Sequence, residues 1–304
     1  MEQELKMLTG ILCGFAAAFL QSSSYVCSKI FILKHKNSLC LSVYSQICMA
    51  VMGILTMPVA LAHVRYSLTW ETGMLVGLSV LLGAAGQFFF FQTIHEIEAS
   101  RLSSLLGLKI IILALICMGL FREDISAMQW VAVVLCAASA VGMNFAGAKI
   151  TWKGGLLLFC TLVCYAGTDI LAVRVMDTVE GQSVIWRAVG ATALNYTALG
   201  IFSALLLFKT GWKNVYLRDA VPYACCWYSA MLMLFVCFGM TGVIYGNIIQ
   251  ATRGIISVLI GVVLLKAGFP NLEPAVSWMA WGRRLLMAVL MMTAMALYSW
   301  SLNS

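Results

Sequence analysis

Residues 101–121 read RLSSLLGLKIIILALICMGLF, a run of membrane-spanning length with Arg101 at its start and one cation, Lys109, near its middle. A spanning helix needs about 20 mostly apolar residues, and a charge at its centre costs roughly 2.5–3.5 kcal/mol on insertion scales. The segment therefore reads as a membrane helix whose lysine requires a partner or a wet cavity. Both features recur along the chain. Hydropathy windows place ten spans at 7–33, 39–63, 70–93, 97–121, 127–147, 153–176, 184–208, 218–240, 243–267 and 278–301. Four of them carry basic interruptions, at Lys29, Lys109, Arg187 and Arg253.

Composition agrees. The 304 residues are 62% hydrophobic and 10% charged, with a mean hydropathy of +0.96, far from the balance of a soluble domain. Ten spans use nearly the whole length and leave no room for a soluble catalytic domain. The formal net charge of +7 is spread singly or in pairs between apolar runs, which marks topology and membrane-surface anchoring, with the lipid bilayer as partner and no nucleic acid. The eleven cysteines, Cys13, Cys117, Cys136 and the pair Cys225-Cys226 among them, lack C-x-x-C spacing and read as small apolar packing residues. Nothing calls for a cofactor or a metal. The start MEQELK precedes no evident cleavage site, so the first helix is expected to stay in the mature protein.

The connections are short, as at Met240-Thr241-Gly242 and from Arg122 to Ser126, so consecutive helices are expected to be antiparallel neighbours. Gly73 with Gly77, and Ala16-Ala17-Ala18, have the spacing of close helix contacts. Trp152, Trp212, Trp278 and Trp281 fall near span ends and suit the interfacial belt.

The chain divides at the basic connection from Gly147 to Lys153, which carries Lys149, giving halves 1–148 and 149–304 with five spans each. An odd number of spans per half makes the second half enter from the opposite side, the inverted-repeat arrangement of many secondary transporters. Sliding one half over the other by 144 positions sets Lys109 over Arg253 and Phe88–Phe91 over Leu232–Phe235. The expected fold is an all-α integral membrane protein of two inverted five-helix repeats.

The stretch from Glu98 to Gly142, with its turn Glu123-Asp124-Ile125-Ser126 and Gln129 three residues on, resembles the fourth and fifth helices of the ten-helix drug/metabolite transporter superfamily, EamA-like group. The run from Tyr245 to Leu265 looks like the equivalent ninth helix. Members commonly carry a proline early in the fourth helix of each repeat, where this chain has Ile110 and Gly254, and a glycine soon after the glutamine, where it has Val131 and Ala132. The resemblance implies the fold and a transport role. It does not carry over a substrate.

Two cations at matched depth suggest a midplane site for an anionic group. Arg253 can grip a carboxylate or phosphate through two parallel hydrogen bonds, and Lys109 adds a point charge. Tyr228, Tyr245, Asn247, Gln250 and Gln87 are the polar and aromatic side chains placed to orient a solute; Ser103 and Ser104 are as well suited to hydrogen bonds between helices. Asp169 is the acidic residue deepest in a span, fit either to couple a proton or cation or to pair with Lys109 or Lys29. Arg187 lies near a span start, within reach of headgroups.

The function expected is a secondary transporter in the cell membrane moving a small polar, anionic metabolite by alternating access, with a coupling ion or counter-substrate. The alternatives are an exporter of amphipathic or zwitterionic compounds and a structural membrane protein without transport. The histidines His35, His63 and His95 lie far apart, and no hydrolase motif or intramembrane aspartate pair is present, so an enzyme is not expected. Positive-inside counting puts the termini outside, whereas the resemblance implies cytoplasmic termini; accessibility of a tag at Ser304 distinguishes the two.

Overall fold

The structure is a computed structural model that describes residues 2–67, 69–97, 99–122, 124–143, 150–269 and 278–303, nearly all of them helical. In order they form α1 (Glu2–His35), α2 (Ser38–Leu61), β1 (Arg65–Tyr66), α3 (Trp70–Glu96), α4 (Ala99–Leu105), a 3-10 turn (Leu106–Leu108), α5 (Lys109–Phe121), α6 (Ala127–Gly142) and α7 (Trp152–Asp177). Then follow β2 (Val179–Glu180), α8 (Val184–Ala204), α9 (Leu207–Thr210), α10 (Asn214–Thr241), α11 (Val243–Ala251), α12 (Arg253–Lys266) and α13 (Trp278–Asn303).

Seven segments among the described residues are long and apolar enough to cross a bilayer: Glu4–His35, Ser38–Leu61, Trp70–Glu96, Arg101–Leu120, Trp152–Asp177, Asn214–Thr241 and Val243–Lys266. The remaining expected spans are helical but shorter or more polar. Ala127–Gly142 and Leu286–Ser301 are short apolar helices, and α8, at 21 residues, is diluted by Arg187, Asn195 and its hydroxyl side chains. Glu98, Glu123, Gly147, Lys149 and Ser304 lie outside the described residues, as do the side chains of Trp278, Trp281 and Arg284.

Local chemistry explains the helix starts. Ser126 accepts from the Gln129 backbone while the Gln129 side chain accepts from Ser126 N, a capping box that satisfies two end donors. That is the physical content of the turn noted in the sequence. Asn37, Thr69 and Thr151 cap α2, α3 and α7 in the same manner, each accepting from a backbone N–H three residues on. Gly242, at φ 84°, lets α10 turn directly into α11.

The main packing partners are α1 with α10, α2 with α8, α3 with α7, and α6 with α13. Glycines permit the closest approaches: a Cβ at Gly200 would overlap that of Ala50, and one at Gly53 would sit 2.7 Å from Thr197 Oγ1. Gly73 and Gly77 do not serve this purpose. Both face outward with nothing within 4 Å among the described residues. Trp152 and Trp212 are exposed at helix ends.

Contacts at the helix ends sort by side. At one end Asp219 accepts from Lys34 at 2.6 Å and lies 2.7 Å from His35 Nε2. There too Glu96 binds Lys153 at 2.9 Å and Thr151 at 3.1 Å, and Tyr44 OH bridges Gly211 O and Lys213 N. At the other end β1 and β2 pair antiparallel, Arg65 with Glu180 and Tyr66 with Val179.

Candidate functional site

Two of the apolar helical segments are broken, and each break ends at a buried cation. In the first, α4 gives way to the 3-10 turn at Leu106–Leu108, and Lys109 opens α5. In the second, α11 ends at Ala251, Thr252 makes the turn, and Arg253 opens α12. The breaks are local tightenings: Thr252 N bonds Ile249 O at 3.1 Å and Ile255 N bonds Thr252 O at 2.9 Å, three-residue spacings in place of four. Neither break uses a proline. At the second, Gly254 brings the α12 backbone against Ser104, where an added Cβ would lie 3.0 Å from Oγ and 3.1 Å from Cα.

Both cations line one partly open cavity. Lys109 is 3% exposed and its Nζ lies 2.5 Å from Asp169 Oδ2, so of the two pairings open to Asp169 in the sequence it takes Lys109. Arg253 is 2% exposed and has no carboxylate within ion-pair distance among the described residues. Its Nη1 donates to Gln21 Oε1 at 3.1 Å, its Nε has no partner, and Gln250 Nε2 donates to the same Gln21 oxygen at 2.9 Å. Ser22 and Ser103 donate to the Arg253 carbonyl at 3.0 and 3.3 Å, and Ser257 donates to Ser103 at 2.8 Å. These serines stitch α1 and α4 to α12 behind the guanidinium.

Of the positions singled out in the sequence, Lys109, Arg253, Gln250, Gln87 and Asp169 line the cavity. Gln87 accepts from Gln46 Nε2 at 2.7 Å, which fixes its amide. Tyr245, Asn247 and Tyr228 are placed elsewhere. Tyr245 stacks on Tyr298 at 5.5 Å, between α11 and α13. Asn247 donates back to Val243 O, one turn earlier in α11. Tyr228 bonds Thr56 at 2.5 Å and meets Tyr196 edge-on at 5.6 Å. Arg187 is half-buried in the first turn of α8.

The lining that the sequence reading missed comprises Gln21, Ser79 and Gly83, then Tyr165 and Thr168, Asn195, Tyr196 and Leu199, and finally Trp227 and Met231. A signal for several of them was available. Gln21 and Tyr165, Gly83 and Trp227, and Gln87 and Met231 are each 144 positions apart, the spacing of Lys109 and Arg253.

A comparison with curated proteins found no match. A solved structure titled only as the crystal structure of a protein superposes with a TM-score of 0.61 at 17% identity, covering 95% of this chain and 98% of that one; the likeness is one of fold. The sequence profile of the EamA-like transporter family matches residues 8–145, a range that includes the Glu98–Gly142 stretch. Over those residues the chain is similar to the EamA-like transporter family, a likeness that covers a little under half of its length.

Proposed function

We propose that this protein is a secondary transporter of the cell membrane that carries a small polar, anionic metabolite through the cavity by alternating access. The observation that carries this reading is the unequal neutralisation of the two cations. Asp169 balances Lys109, while Arg253 is buried with the Gln21 amide oxygen and the Tyr25 hydroxyl as neutral neighbours of its guanidinium, its Nε unused, and no carboxylate at ion-pair distance among the described residues. An unpaired buried charge is expensive, and an anion entering the cavity removes that cost through charge-assisted hydrogen bonds.

Two inverted halves, 1–148 and 149–304, account for several independent features. The helices at 127–142 and 286–301, together with α8, bring the seven long spans to ten. Both broken helices are the fourth of their half. The first helix of one half packs on the third of the other in both directions, α1 on α10 and α7 on α3, while the second and fifth helices pack on their counterparts. Four pairs of lining residues share the 144-residue spacing. Discontinuous helices meeting at a central site are the recurrent plan of such carriers.

Asp169 supplies a means of coupling. An anion that draws Lys109 toward itself leaves the Asp169 carboxylate without its partner in a water-poor site, where taking up a proton, or exchange for a second anion, restores neutrality. The test is uptake into proteoliposomes of a labelled organic-acid mixture under an imposed proton gradient. The wild type accumulates anions and Arg253→Ala does not, although it inserts and unfolds normally. Full anion uptake by Arg253→Ala overturns the assignment.

A further inference from the structure

We infer that the solute, granted the anion transport proposed above, is an organic anion with a flat apolar body and at least one N–H or O–H donor of its own.

The first argument is the shape of the walls. The first half contributes Gln21, Ser79, Gly83, Gln87 and Lys109, none of them bulky and apolar. Every large apolar or aromatic lining side chain, Tyr165, Tyr196, Leu199, Trp227 and Met231, comes from the second half. At each of three matched positions a small or polar residue of the first half corresponds to a large one of the second. The second half, which also supplies Thr168, Asp169, Asn195, Gln250 and Arg253, thus gives the cavity its whole aromatic wall. The aromatic wall is held in place before any solute arrives. Trp227 donates its indole N–H to Tyr196 OH at 2.9 Å, stacks on Tyr223 at 5.7 Å and 22°, and has Tyr165 at 6.0 Å. Such a surface rewards a flat ring over a compact acid of equal charge.

The second argument is the set of polar atoms without partners. The guanidinium of Arg253 can only donate, so the Gln21 atom it touches is the oxygen. The Gln250 atom donating to that same oxygen must then be its nitrogen, which leaves Gln250 Oε1 as an acceptor with no donor. Asn195 Oδ1 is in the same position. Neither can bind the anionic group itself. A solute that fills the cavity must donate to them, or it leaves them unpaired and loses affinity. A carboxylate for Arg253 is therefore only part of what the site asks for.

The experiment measures binding to the full chain in lipid nanodiscs by calorimetry, with three probes: 4-hydroxyphenylacetate, phenylacetate and lactate. The expected order is 4-hydroxyphenylacetate first, with a margin of about tenfold over lactate, the scale of an aromatic contact, and phenylacetate weaker than its hydroxylated form. Trp227→Leu is expected to abolish the margin over lactate, whereas Trp227→Phe, which keeps a ring, retains it. Gln250→Leu is expected to erase the advantage of the hydroxyl. Equal affinity for lactate and 4-hydroxyphenylacetate, or a ratio unmoved by Trp227→Leu, overturns this inference and leaves the anion site standing. Failure of all three anions, or equal binding by Arg253→Ala, overturns the anion site as well.

Discussion

The two broken helices meet the same cavity with the same device and different chemistry. At the first break the cation is a lysine locked to a carboxylate; at the second it is an arginine held by a neutral amide. A lysine is a compact point charge that a single carboxylate can satisfy, while a guanidinium offers five donors in a plane and keeps some of them free when one amide has taken its share. On the proposed function the matched positions divide the work: Lys109 is neutralised by Asp169 until a solute competes for it, and Arg253 is left to hold the solute.

That division can be broken most forcefully at Asp169. Replacing it with leucine strands the Lys109 charge in a site with no other carboxylate at ion-pair distance among the described residues, at a cost of about 3–5 kcal/mol in stability. Asp169→Leu is therefore expected to lose folded yield and thermal stability in detergent, and the double change Lys109→Met with Asp169→Leu to recover most of both. If the single change is as stable as the wild type, the pair is not structural and the contrast with Arg253 disappears.

Arg253 gives the opposite signature. Arg253→Ala leaves behind unpaired amides and no unpaired charge, so stability is expected to stay within about 1–2 kcal/mol. Anion binding falls about 100-fold, the loss of one buried charge-assisted contact. Arg253→Lys keeps the charge without the fork and is expected to fall between. A melting curve and a binding isotherm on the same preparation read both halves of the comparison.

Much of this was legible in the sequence, and for identifiable reasons. Hydropathy located the helices because lipid forces apolar composition along a whole span, and the 144-residue offset found Lys109 and Arg253 because charge is conspicuous in an apolar run. Gln21 escaped because one glutamine in a serine-rich stretch resembles an ordinary hydrogen-bonding residue; only its position opposite Arg253 gives it a role. Trp227 escaped because a tryptophan in a span is unremarkable until its neighbours are known. Tyr245 and Asn247 were attractive as aromatic and polar side chains within a span. The helix phase, which hydropathy does not fix, turns them to α13 and back along α11. Gly73 and Gly77 failed as a packing stripe for the same reason: spacing gives a face but not the neighbour it meets.

Gln21 sharpens the comparison by a smaller amount. It touches Arg253 and Gln250 through one oxygen, so Gln21→Leu frees both donors without removing any charge. The Arg253 backbone stays in place, its carbonyl held by Ser22 and Ser103, but the guanidinium loses its orientation. The expected result is an increase in KM for anion uptake of about 5- to 10-fold, one hydrogen bond to a charged group, with little change in maximal rate. Gln21→Glu tests the same contact in the other direction. Its carboxylate would pair Arg253 as Asp169 pairs Lys109, making the two breaks alike, and anion uptake is expected to fall toward that of Arg253→Ala.

The last test concerns the backbone that presents the two cations. At the second break Gly254 lies against Ser104 at a distance where a methyl group meets Oγ at 3.0 Å and Cα at 3.1 Å, whereas the matched position at the first break already holds Ile110. Only the second break therefore needs a residue without a side chain after its cation. The mobile part of the obstacle is a serine hydroxyl, but the Cα behind it belongs to α4 and cannot swing aside. Gly254→Ala is expected to push α12 from α4 and cost about 1–3 kcal/mol by overpacking, measured as a lower melting temperature. Ile110→Ala at the matched site acts by the other route, opening a cavity in a buried position. Removing the serine hydroxyl with Ser104→Ala in the Gly254→Ala background separates the two atoms. Partial recovery assigns part of the cost to Oγ, and no recovery assigns it to the approach of the α4 backbone itself.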